Sequence, residues 1–231
     1  MHVPDGFLDA PTSIATGAVA VAAVGIALRG SRRELDDRTA PLAGLVATFV
    51  FATQMLNFPV GAGTSGHLLG GALAAVLVGP WTGLLCVSVV LLVQALLFAD
   101  GGITALGTNI TLMSIVGLLA GWLVFRGLQV VLPKRLALVP ALAAVGALVS
   151  VPAAALAFVG LYAVGGTAPI PLDTLTTAML SWHALIGIGE AVITGLVVGS
   201  VTAVRPDLVY GARRVLKDRE LVIRNTEEAP A

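Results

Sequence analysis

The chain has 231 residues, of which 57% are apolar and 11% are charged, and its 13 basic and 13 acidic side chains cancel. An ordinary soluble domain carries about 25% charged residues, and a mean hydropathy of +0.97 leaves too little polar surface for a water-soluble globule, so soluble enzyme folds are excluded and an all-α membrane protein is expected. Balanced charge argues against a nucleic-acid partner, and a single cysteine, Cys86, excludes a disulfide framework or a Cys-rich metal site.

The chain opens Met-His-Val-Pro-Asp-Gly-Phe-Leu-Asp, acidic and turn-rich where a secretory signal has a basic start and an apolar stretch. Met1 is therefore expected to remain in the mature protein, because aminopeptidases that trim Met need a small second residue and His2 is not small.

Apolar runs of about 20 residues per span predict seven helices, near 12–28, 40–58, 68–79, 82–98, 109–125, 136–163 and 178–204. The third is short and meets Gly79-Pro80, so it is read either as tilted or as fused to the fourth. Residues 1–204 form one transmembrane domain in this reading, and 205–231 a cytoplasmic tail of alternating charge, drawn as a short interfacial helix with a frayed end.

All 13 basic residues fall on one side: Arg29 to Arg38 after the first span, Arg126 to Arg135 after the fifth, and the rest from Arg205 onward. The positive-inside rule then places the N-terminus and segments 59–67, 99–108 and 164–177 outside and the C-terminus in the cytoplasm. The first span is rich in Ala and Gly, which either admits a partner helix closely or reflects the composition of the whole chain.

The three histidines are His2, His67 and His183, and this topology gathers them at the outer face. The N-terminal amine, the backbone nitrogen of His2 and its imidazole can close two fused chelate rings around one ion. His67 is the natural fourth donor, and planar nitrogen coordination selects Ni(II) or Cu(II), with Co(II) possible. The alternative for His2 is an exposed side chain in a loose start, although the turn at Pro4-Asp5-Gly6 and the apolar Phe7-Leu8 suit a terminus tucked back onto the protein.

His67 ends a Gly-rich loop, Gly63-Thr64-Ser65-Gly66-His67, whose backbone is tolerated at membrane depth only under cover of protein or water. In the other outer loop, Asp100 and Asn109 are placed to hydrogen-bond the metal-bearing imidazoles, with helix capping the alternative for Asn109. His183 and Glu190 share one face of the last span, where a carboxylate marks either function or a hydrogen bond between helices.

These residues resemble the CbiM/NikM family, the substrate-binding membrane subunits of cobalt and nickel energy-coupling-factor (ECF) ABC transporters, over nearly the whole chain. The resemblance rests on Met1-His2-Val3-Pro4-Asp5-Gly6-Phe7-Leu8, on Gly63 to His67, on Asp100-Gly101-Gly102-Ile103-Thr104 and on His183-Ala184-Leu185-Ile186-Gly187. It implies an extra N-terminal helix before a six-helix core, with the N-terminus inserted into the outer side of that core. The implied metal ligands for the transported Co(II) or Ni(II) are the Met1 amine, the His2 backbone nitrogen and imidazole, and the His67 imidazole, with Ser65, Asp100, Asn109 and His183 around them.

The implied partners are a coupling transmembrane subunit, cytoplasmic ATPase subunits and often a small accessory membrane subunit. The chain has no G-x-x-x-x-G-K-[ST] phosphate loop of its own. Family members that take up cobalt for cobalamin synthesis and those that take up nickel overlap in motif, and Pro4-Asp5-Gly6 with Asp100-Gly101-Gly102 leans toward the nickel pattern. A competing reading takes Gly63-Thr64-Ser65-Gly66 as an intramembrane serine protease motif with His183 as base. It lacks a His-x-x-x-Asn on an earlier span and leaves His2 and His67 unexplained.

Overall fold

The computed structural model describes residues 1–37, 39–61 and 64–217, apart from the side chains of Phe58, Pro59, Thr64 and Ser65. Arg38 and the tail from 218 onward, including the end expected to fray, lie outside the described residues.

Helix α1 (Ala10–Gly30) starts where Asp9 accepts the Thr12 N–H at 2.9 Å, with Pro11 in the first turn. It is peripheral, burying only Thr12, Thr16, Ala20 and Ala27. Helix α2 (Ala40–Gln54) stops short of the expected residue 58, because the chain turns at Met55 and enters a two-stranded antiparallel ribbon, β1 (Phe58–Gly61) and β2 (Thr64–Gly66). The residue before Pro59 is disfavoured in helical geometry, which suits strand entry at Phe58.

Helix α3 (Gly71–Val78) is buried at every position, as an all-apolar helix must be. Gly79, at φ +99°, ends it, and α4 (Pro80–Leu97) begins at once. The third and fourth segments are therefore separate helices. Glu34 holds this corner, accepting the N–H groups of Trp81 and Thr82 at 3.2 and 2.7 Å and the Thr82 hydroxyl at 2.9 Å.

The next segment runs from α5 (Leu106–Asn109) through a π-helical stretch, Ile110–Gly117, into α6 (Leu118–Val131). Then α7 (Val139–Gly165) packs along α8 (Leu172–Val204), with Pro152 inside α7. The last helix begins six residues earlier than expected, its first turn carrying Asp173 where a negative charge suits the helix dipole.

Among the described residues, five segments are long and apolar enough to cross a membrane: Ala10–Arg33, Pro80–Leu97, Leu106–Val131, Leu136–Gly165 and Leu172–Val204. Helices α2 and α3, of 15 and 8 residues, lie between them. The chain is a multi-pass membrane protein. Beyond α8, Val209, Ala212 and Val215 are buried in the core rather than extended away, and Gln129 Nε2 donates to Gly211 O at 2.7 Å.

Candidate metal centre

Residues 1–9 are wedged between two connecting segments. Met1 is 1% exposed and Val3 is fully covered. The Phe7 ring packs on Phe158 and Tyr162 at centroid distances of 5.7 and 5.3 Å. Burying such aromatic pairs anchors the segment without a charge. On one side Asp9 N–H donates to Gly165 O at 2.7 Å and Thr167 N–H to Phe7 O at 3.1 Å. On the other, Gly102 N–H donates to Val3 O at 2.9 Å and Thr104 N–H to Asp5 Oδ1 at 2.8 Å. A turn at Pro4-Asp5-Gly6, with Gly6 at φ +72°, lets the chain double back between them.

This wedge brings the Met1 amine, His2 and His67 together. The His2 and His67 rings stack at 4.4 Å between centroids. His67 Nδ1 lies 2.8 Å from Leu68 O, which can only accept, so Nδ1 carries the proton and Nε2 carries the lone pair. That Nε2 is buried with no hydrogen-bond partner among the described residues, a costly arrangement for a polar atom unless a ligand uses it. Both nitrogens of His2 are buried without a hydrogen bond of good geometry, although Nδ1 lies 3.1 Å from Asp100 Oδ1.

Burial pushes the Met1 amine from 8.0 down to about 4, against the opposing pull of Asp100. Burial also lowers His2, despite the opposing pull of the nearby Asp100 carboxylate, and holds His67 well below the ordinary histidine range, with the amine and His2 adding to the effect. At neutral pH the cluster therefore presents uncharged amine and imidazole nitrogens, the protonation state in which they bind metals. Burial alone would raise Asp100, but the His2 imidazole and the Asn57 amide, the latter at 2.8 Å, keep it below the usual carboxylate range.

The His67 loop is fixed from beneath. Glu190 Oε2 accepts the Leu69 N–H at 2.8 Å and Oε1 the Gly70 N–H at 2.6 Å. Gln54 Nε2 donates to Leu69 O at 2.7 Å. Gly70 sits at φ +73° with Val50 against it, a position that excludes a side chain on both counts.

Asn109 departs from both of its expected roles. It neither bonds an imidazole nor caps a helix, but exchanges hydrogen bonds with the backbone of Val3. His183 is fully buried, with Nδ1 2.7 Å from Met179 O and Nε2 without a partner. The side chain of Ser65 lies outside the described residues. Among the described residues no group of three or more His, Cys, Asp or Glu side chains converges on one point. A metal site here therefore depends on the terminal amine and backbone nitrogen as well as on the imidazoles.

Two supporting residues escape the sequence reading, Gln54 and Gln94. Gln94 is fully buried and leaves its Oε1 without a partner among the described residues. The available signal was a lone amide inside an apolar run, which is expensive in a membrane helix unless it is used.

A family model described as the cobalt uptake substrate-specific transmembrane region matches residues 2–208. The chain is 39% identical over 210 residues to a putative metal transport protein of Haloquadratum walsbyi, covering 91% of this chain and 94% of that one. It is 38% identical over 210 residues to a putative fused nickel transport protein of Archaeoglobus fulgidus, covering 90% of this chain and 68% of the longer relative. A crystal structure of a transition metal transporter superposes with a TM-score of 0.79 at 34% identity, over 88% of this chain and 93% of that chain.

Proposed function

The chain belongs to the CbiM family of substrate-specific transmembrane regions for cobalt uptake, and from that premise we propose that it captures one Ni(II) or Co(II) ion at the centre formed by Met1, His2 and His67. It is a metal transporter subunit, not an enzyme, which leaves the serine protease reading without support.

The observation that carries this reading is the buried Met1 amine, held neutral beside an imidazole whose free Nε2 has no partner among the described residues. The donor set is the amine, the backbone nitrogen and Nδ1 of His2, and Nε2 of His67. All four are nitrogens, which favours Ni(II) and Co(II) over Mg(II) or Ca(II). His2 Nδ1 lies near Asp100, so chelation turns the ring about its Cβ–Cγ bond. Asp100, Asn57 and Asn109 orient the donors.

The N-terminus and its flanking loops face the cell exterior, and the basic end, with Arg33 and Arg126, faces the cytoplasm. Inward release is driven by ATPase and coupling subunits of an ECF-type ABC system, since the chain has no phosphate loop of its own. Where the ion is cobalt, its use is cobalamin synthesis.

Titration of purified protein with Ni(II) and Co(II) tests this proposal, comparing the native N-terminus with a form carrying two extra residues before Met1 and with His67→Ala. One tightly bound ion in the native form, lost in both variants, is the expected result. Equal binding by the extended form would remove the amine from the ligand set.

A further inference from the structure

The last helix carries two buried groups that the outer centre does not use. His183 is fully covered, and its Nδ1–H donates to Met179 O at 2.7 Å. That bond fixes the tautomer and leaves the Nε2 lone pair unpartnered inside the protein. Glu190, on the same face of this helix, bonds the backbone just after His67, so the face that carries His183 is turned toward the His67 segment.

Glu190 lies seven residues further along the same helix, about 10 Å deeper and on the same face. It is 2% exposed. Both of its oxygens are occupied by the N–H groups of Leu69 and Gly70, two and three residues after His67. Any movement that draws His67 inward or outward also pulls on these two bonds. The segment that carries His67 is thus tied directly to the Glu190 carboxylate.

We propose that His183 Nε2 is a second, inner nitrogen donor that receives the ion when the His67 segment moves, with the Glu190 carboxylate as the next donor inward. The inference rests on the capture reading and extends it from binding to the path of release. An ion crossing an apolar core needs successive donors, because an unliganded divalent charge in low dielectric is prohibitively costly. A single imidazole holds the ion more weakly than a four-nitrogen plane, which is what an exit position requires.

The test applies two readouts to the same variants: equilibrium binding of Ni(II) and of Co(II) to the purified chain, and uptake of whichever ion binds by cells producing the chain with its transporter subunits. His183→Asn retains an amide N–H to donate to Met179 O and removes the second nitrogen, and His183→Gln is the companion should the first variant not fold. The expected result is affinity within about threefold of the unsubstituted chain and uptake lowered by about tenfold or more. Unchanged uptake in both variants overturns the inner donor. So does a loss of binding as deep as that in His67→Ala, since His183 would then belong to the outer plane. If the unsubstituted chain binds neither ion, the capture reading fails first and takes the inner donor with it, an outcome distinct from either of the others.

Discussion

Val3 and Asn109 are joined by a reciprocal pair of hydrogen bonds across 106 positions of sequence: the Val3 N–H donates to Asn109 Oδ1 at 2.7 Å, and Asn109 Nδ2 donates back to Val3 O at 3.2 Å. Both residues are buried. Asn109 thereby reads backbone rather than side chain, and it does so one residue beyond the proposed chelate. It also stands at the entry to the π-helical stretch Ile110–Gly117, the kind of local irregularity that frequently accompanies a functional site.

Removing this clamp leaves the Val3 N–H buried without a partner, at a cost of about 1–3 kcal/mol. Asn109→Ala is therefore expected to weaken Ni(II) binding by about 10- to 100-fold while the protein remains folded. Asn109→Asp keeps the acceptor for Val3 N–H and is expected to recover part of the loss. Titration calorimetry on both variants checks this, and equal affinity in Asn109→Ala and the unsubstituted chain would mean that the clamp does not position the donors.

Asp100 joins His2, 3.1 Å away, to Asn57, 2.8 Å away. A carboxylate beside an imidazole holds the side chain in place before the metal arrives, and loss of such a supporting partner typically costs 10- to 100-fold in affinity (about 1.4–2.8 kcal/mol). Asp100→Asn is expected to fall in that range, with Asn57→Ala smaller because it removes only the support of the support. Competition against a chelator of known affinity measures both, and the reverse order would show that Asn57 acts directly.

Much of this was legible in the sequence, for identifiable reasons. Apolar runs and one-sided basic residues fix where helices lie, and the histidines stand out because there are three in 231 residues. The ends of α2 and α8 were misplaced because hydropathy follows side chains, whereas Leu172 to Thr177 is helical despite Asp173 and three threonines. The pairing partners were not legible. Asn109 with Val3, Glu190 with Leu69 and Gly70, and Glu34 with Thr82 span 106, 121, 120 and 48 positions, and nothing local to either member names the other.

Gly102 packs against the N-terminal segment so closely that an added Cβ would overlap the backbone nitrogen of Asp5. Backbone cannot yield as a side-chain tip can, so the wedge itself must shift. Gly102→Ala is expected to cost metal affinity by about tenfold or more with little change in the melting temperature of the bundle, because the atoms nearest the added Cβ all belong to Asp5 in the N-terminal segment. A variant that melts much earlier yet binds normally would show the opposite coupling.

The protonation states give a prediction with a definite sign. Burial lowers the Met1 amine from 8.0 to about 4 and lowers His2 and His67 as well. A base with a lower pKa when seated favours the unseated form as pH falls. Seating is thus fully present above the free value of 8.0 and weakens about tenfold per unit down to the seated value of about 4. At neutral pH, moreover, the seated amine has no proton to lose. Chelation then displaces only the backbone proton of His2, whereas a free Met-His peptide must also deprotonate its amine. Calorimetry of Ni(II) binding at about pH 7 in buffers of different ionisation enthalpy is expected to report about one proton released per ion. Two protons per ion would mean that the amine is protonated before the metal arrives, and therefore that it is not buried as the structure has it.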